Sequence, residues 1–84
     1  MNPVDYQFLF YTPLGVILLK KQLMLKGIEF CVMDAPRQLS AECGMSVRFS
    51  LTKDEGYRSL INPQVSAVYR VECERYISLW QDSQ

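Results

Sequence analysis

Histidine is absent from the 84-residue chain, and its three cysteines, Cys31, Cys43 and Cys73, include no CxxC pair. Because a Cys-His pair needs a histidine, that class of nucleophilic catalysis is excluded within the chain itself. An odd number of cysteines without paired spacing favours neither a disulfide framework nor a zinc site. We therefore expect reduced thiols in a cytoplasmic protein, with no metal and no cofactor.

An excess of one charge and a long apolar segment are also missing. Nine basic and nine acidic side chains give a formal net charge of zero, so the chain lacks the basic footprint of a nucleic-acid-binding protein. The apolar run 14–19 is too short to cross a bilayer, and lysines follow it, so we expect no membrane segment and no signal peptide. With 49% apolar residues, the chain suits one small globular domain over 1–84.

Apolar runs and alternations predict four strands, over 6–11, 28–33, 45–51 and 64–72. A first helix is predicted over 13–26, with Thr12 as its cap, Pro13 at its first position and Gly27 as its stop. A second helix is predicted over 52–61, because Thr52 and Glu55 have the spacing of a capping box.

The order strand, helix, strand, strand, helix, strand is that of an α+β, ferredoxin-like βαββαβ sandwich. We place its core at about 6–72 and regard 73–84 as a short C-terminal extension, for which a helix and an added strand both stay open.

The first predicted helix is apolar on two opposite sides, with Leu14, Leu18 and Leu25 on one and Val16, Leu19 and Leu23 on the other. One sheet covers only one side of a helix, so we expect self-association, most simply as a homodimer. If the side of Leu19 and Leu23 is the interface, Leu19→Glu or Leu23→Glu should weaken the dimer without unfolding the domain.

The connection between the second and third strands, about ten residues long, places a thiol in a turn. Gly44 permits a positive φ beside Cys43, and Arg37 and Arg48 are the cations nearest to it in the sequence. If Ser40 caps a helical turn, Cys43 lies at its third position, near free N–H groups.

These neighbours bear on the thiolate, which is the reactive form of cysteine. Cations and N–H groups favour the thiolate, whereas the adjacent carboxylate of Glu42 opposes it, so the net effect stays open. Because Cys43 alone is predicted in a loop with cationic neighbours, we expect it to be the most reactive of the three thiols.

The sequence Pro36-Arg37-Gln38-Leu39-Ser40-x-x-Cys43-Gly44-x-x-x-Arg48 resembles a small bacterial family described as Se/S carrier-like, and the resemblance extends over about 6–72. It favours a carrier over a turnover enzyme, with sulfur or selenium held as a persulfide or selenopersulfide on Cys43. A cysteine desulfurase or selenium donor protein would load it, and an acceptor protein would unload it. Arg37, Arg48, Ser40 and Gly44 would then form the anion-binding surroundings of the sulfur.

A second interpretation treats Cys43 as a small hydrophobic residue that packs beside Gly44. The chain would then be a protein-binding or assembly module whose exposed helix face and sheet recruit a partner. The residues alone leave both interpretations open.

Overall fold

The computed structural model describes residues 3–39, 41–52 and 56–83. Within them lie one α-helix, α1 (Pro13–Leu25), a 3-10 helix (Tyr57–Leu60), and five strands: β1 (Val4–Phe10), β2 (Phe30–Asp34), β3 (Met45–Leu51), β4 (Val65–Glu72) and β5 (Arg75–Gln81). The predicted α+β class is confirmed, and the four predicted strands form close to their expected positions.

The strands form one antiparallel sheet in the order β2-β3-β1-β4-β5. The aromatic-rich β1 lies at the centre, where Phe8 pairs with Val47 on one side and with Val68 on the other. Since β1 and β2 both run antiparallel to β3, they point in the same direction, and α1 crosses over between them. The C-terminal extension adds β5 as an edge strand.

A capping residue, a proline and a glycine set the two ends of α1 as predicted. Thr12 is the extended N-cap residue and Pro13 lies at the first position, where a missing N–H costs nothing. At the other end, Gly27 has a φ of +71°. Its N–H donates to the Met24 carbonyl at 3.1 Å, and the Ile28 N–H donates to the Leu23 carbonyl at 2.9 Å, so the last turn is closed.

The core lies between α1 and one face of the sheet, and its fully buried members include Phe8, Phe10, Leu19, Leu23, Val47 and Val68. Gly15 brings the helix close to the sheet. A Cβ on Gly15 would lie 2.6 Å from Cδ1 of Phe10 and 2.8 Å from Cβ of Gln64. Only glycine allows this approach.

The expectation of a second α-helix over 52–61 is wrong for the described part of that segment. Gly56, with a φ of +75°, enters a single 3-10 turn, Tyr57–Leu60, and Ile61 is already extended. Glu55, which supplied the capping-box pattern, lies outside the described residues. With one α-helix on the sheet in the described residues, the ferredoxin-like sandwich stays a prediction.

The hypothesis that Leu19 and Leu23 form a dimer face of α1 is also wrong. Leu19 and Leu23 are fully buried against the sheet, because they share a helix side with Gly15 and Val16. The exposed apolar side carries Leu14, Ile17, Leu18, Met24 and Leu25. Among the described residues no helix has the length and apolar character needed to cross a membrane.

Candidate functional site

The loop over 35–44 begins at the end of β2 and returns to β3. Its base is closed by the N–H of Ala35, which donates to the carbonyl of Gly44 at 2.9 Å. Gly44 has a φ of +73°, and nothing lies within 4 Å of the position that a Cβ would take. Glycine is therefore needed here for its backbone conformation and not for lack of space.

Cys43 lies at the rim of the core. Its side chain is partly buried against the core cluster, and its Sγ lies 3.7 Å from the carbonyl oxygen of Met45, to which the thiol donates. The neighbouring Gly44 is exposed. Cys43 thus lies between the core cluster and an exposed residue of the loop.

Arg37 lies in the turn that opens this loop. The N–H of Leu39 donates to the carbonyl of Pro36 at 3.0 Å, so Arg37 is a central residue of the turn, and its side chain is exposed. Within the described part of the chain it forms no ion pair. Ser40 lies outside the described residues, so its predicted capping role has no structural description.

Glu42, the carboxylate next to Cys43, lines a cavity of about 200 Å³ together with Tyr11, Tyr69 and Asp82. The Tyr11 hydroxyl donates to Oδ2 of Asp82 at 2.8 Å. This hydrogen bond is the largest cause that raises the pKa of Tyr11 above its ordinary value of 10.0, and the nearby charges of Asp82 and Glu42 act in the same direction. The carboxylates of Asp82 and Glu42 thus both raise the pKa of Tyr11.

Arg48 lies in the middle of β3 and contacts another part of the molecule. Its Nε donates to Oε1 of Gln7 at 2.8 Å, and one terminal nitrogen contacts the Tyr76 hydroxyl at 3.4 Å. In the sheet register it pairs with Cys31, so these two side chains leave the same face. Met45, whose carbonyl contacts the Cys43 sulfur, lies three residues before Arg48 along β3, so their Cα atoms are about 10 Å apart. A role of Arg48 at Cys43 stays a prediction.

Cys31 and Cys73 are both exposed, on β2 and in the turn between β4 and β5. Cys73 and Glu74 take positive φ values of 50° and 65° in that turn. Cys73 thus also lies in a turn, and both Cys31 and Cys73 are more exposed than Cys43, so the higher reactivity expected of Cys43 stays a prediction. All three cysteines are free thiols, and the described residues contain no cluster of His, Cys, Asp or Glu that could hold a metal ion.

Sequence reasoning missed a polar network on the sheet face opposite α1. Ser46 and Gln7 are fully buried, and Nε2 of Gln7 donates to Oγ of Ser46 at 2.6 Å. The other end of the Gln7 amide accepts from Arg48, as described above. The alternation of β3 indicated that Ser46 and Arg48 share a face, but Gln7 stands inside an aromatic run and gave no comparable signal.

Comparison with known families adds a second line of observation to this geometry. The family model described as "Putative Se/S carrier protein-like" matches residues 5–70. The chain belongs to this family. The resemblance inferred from the loop residues is thereby confirmed, and the matched range includes both Cys43 and Arg48.

A relative from Escherichia coli strain K12, described as "Uncharacterized protein YtiA", is 31% identical over 65 residues, which cover 77% of this chain and 76% of that protein. No solved structure matches the chain.

Proposed function

We propose that the protein is a cytoplasmic sulfur or selenium carrier that holds a persulfide or selenopersulfide on Cys43. The observation that carries this proposal is the placement of Cys43 as a free thiol at an exposed loop, within a chain that belongs to a Se/S carrier-like family. The Cys43 side chain packs against the core cluster. The exposed glycine beside it leaves room for a partner's cysteine.

The proposed loading step is a transfer between thiols without net oxidation or reduction. The Cys43 thiolate attacks the outer sulfur of a cysteine persulfide on a donor protein, such as a cysteine desulfurase. A sulfur–sulfur bond forms on Cys43, the donor's sulfur–sulfur bond breaks, and the donor cysteine leaves as a thiolate. An acceptor's nucleophile then takes the outer sulfur in the same way. A selenium donor protein would deliver selenium by the equivalent exchange.

Arg37 is the guanidinium that we propose to meet the charge of the loaded group, since it lies in the same loop as Cys43 and has no ion-pair partner among the described residues. Ser40 is proposed to contribute its hydroxyl group. Gly44, which has no side chain, is proposed to leave an open approach to the sulfur. Arg48 belongs to this proposal only if the loop or the cargo reaches toward the middle of β3.

The test is the intact mass of the protein after incubation with a cysteine desulfurase and cysteine. The proposal expects the mass of one added sulfur atom, which a reductant removes. Cys43→Ser should abolish the addition, whereas Cys31→Ser and Cys73→Ser, which remove exposed thiols, should retain it. Equal loading of Cys43→Ser and the wild type would refute the carrier function of Cys43.

A protein-binding or assembly role is the second candidate, and the exposed apolar side of α1 favours it. Ile17, Met24 and Leu25 are 55%, 67% and 88% exposed. Large exposed apolar groups on one helix side are typical of an interaction surface. We propose that a second copy of the chain covers this side, giving a homodimer, and this role is compatible with a carrier function at Cys43.

A further inference from the structure

A cavity of about 640 Å³ lies beside β2, β3 and the start of β1, away from the Cys43 loop. Its lining includes Arg48, Cys31, Asp5, Glu29, Ser50 and Phe30. The volume is within the range of small-molecule sites. Opposite charges therefore face the same open space.

The guanidinium group of Arg48 is held in place by side chains of β1 and β3. Oε1 of Gln7 accepts from Nε of Arg48, and Gln7 is in turn fixed by its hydrogen bond to the buried Ser46. Oγ of Ser46 lies 3.4 Å from the carbonyl oxygen of Met33 and 3.3 Å from that of Asp34, and its hydroxyl can donate to either of them. A long side chain with a fixed guanidinium loses less entropy when it binds a ligand.

The carboxylates of the cavity do not neutralise this cation. Asp5 accepts a hydrogen bond from Ser50 and is a diagonal cross-strand neighbour of Arg48, yet the two form no ion pair. The one ion pair among the described residues joins Arg70 to Glu72. Nε of Arg48 donates to Gln7 and one terminal nitrogen contacts the Tyr76 hydroxyl at 3.4 Å, so only its remaining terminal N–H groups stay available to a ligand.

A lone anion would meet the repulsion of Asp5 and Glu29, and a lone cation would meet the repulsion of Arg48. A ligand that carries both charges close together satisfies both sides. We propose that this cavity binds a free α-amino acid, with its carboxylate on Arg48 and its ammonium group toward Asp5 and Glu29. This site does not depend on the function proposed for Cys43.

The test is a titration of the ¹⁵N-labelled protein with L-methionine, followed by amide chemical shifts. We expect saturable shifts at Cys31, Arg48 and Ser50 below about 10 mM ligand. N-acetyl-L-methionine lacks the ammonium group and L-methioninamide lacks the carboxylate, so each should bind at least about tenfold more weakly, the loss expected of one charge-assisted hydrogen bond.

Arg48→Gln should weaken L-methionine binding by about tenfold or more. Arg58→Gln, which removes an exposed arginine of the 3-10 helix, is the matched control and should bind as the wild type does. The comparison of the three ligands on the wild type needs no variant, so it still decides if Arg48→Gln does not fold. Absence of saturable shifts, equal binding of N-acetyl-L-methionine, or undiminished binding by a folded Arg48→Gln would each overturn the proposal.

Discussion

Gln7 and Ser46 hydrogen-bond across β1 and β3 with 2.6 Å between Nε2 and Oγ, and neither residue exposes any surface to solvent. The same Gln7 amide accepts from Arg48. A buried polar group that loses its partner costs free energy, whereas a satisfied network specifies one arrangement of its strands. Gln7 therefore links the stability of the sheet to the orientation of Arg48.

Gln7→Leu should lower the free energy of unfolding by about 1–3 kcal/mol, because Arg48 loses a partly buried acceptor and Ser46 loses a donor. Urea unfolding measures the change. Gln38→Leu, in the exposed turn of the loop, is the control and should stay within about 0.5 kcal/mol of the wild type. A Gln7→Leu variant as stable as the wild type would show that the network contributes nothing.

General alkylation and sulfur transfer should select different thiols. A small haloacetamide should label the exposed Cys31 and Cys73 faster than the partly buried Cys43, since labelling rate follows access as well as thiolate content. Loading by a donor protein should instead favour Cys43. Peptide mapping after each treatment compares the two orders, and loading that followed the alkylation order would speak against recognition of the Cys43 loop.

Charged substitutions should separate the two sides of α1. Leu19→Glu places a carboxylate in the core and should lower the free energy of unfolding by about 3 kcal/mol or more, or prevent folding. Ile17→Glu changes an exposed position and should leave the fold intact. If the apolar side forms the homodimer, sedimentation equilibrium of Ile17→Glu should give a monomer under conditions where the wild type is a dimer. A wild type that stays monomeric at tens of micromolar removes the dimer proposal.

Tyr11 should make the protein less stable in alkali. Because Asp82 raises the pKa of Tyr11 above 10.0, the folded state retains the phenolic proton longer than the unfolded chain. This contribution is fully present below about pH 10 and is lost as the pH rises through the raised folded value. Asp82→Asn should lower the pKa of Tyr11, measured from its ¹³Cζ shift, and Glu74→Gln serves as a distant control. An unchanged Tyr11 titration in Asp82→Asn would contradict this cause.

The sequence predicts the elements whose signals are local. Pro13 and Gly27 bound α1, and the alternation in 45–51 identifies β3, because these effects depend on a few neighbouring residues. The predicted second helix is too long, since a capping box cannot reveal that Gly56 is left-handed and that Ile61, five residues later, is already extended. The apolar residues of α1 do not show which side of the helix packs on the sheet, because they lie on both sides. Gly15, which lies close to Phe10 and Gln64, marks the side that approaches the sheet.

The loop between β2 and β3 that carries Cys43 was predicted from the sequence, whereas the residues that surround it in space were not. Family residues identified the Cys43 loop. The register that sets Arg48 opposite Cys31 is a tertiary property, and no spacing along the chain encodes it. The turn at Cys73 and Glu74 also escaped prediction, because neither residue type is favoured at positive φ over glycine or asparagine.

The hydrogen bond between Ala35 and Gly44 divides the chain at this edge into a frame and an exchangeable segment. Strand pairing between β2 and β3 is complete at that bond, so the register of these strands does not depend on the residues between its two ends, of which Cys43 packs against the core cluster. Substitutions and even changes of length within 36–42 can therefore alter what the cysteine meets while the domain keeps its architecture. The loop is a natural place to exchange one specificity for another on an unchanged scaffold.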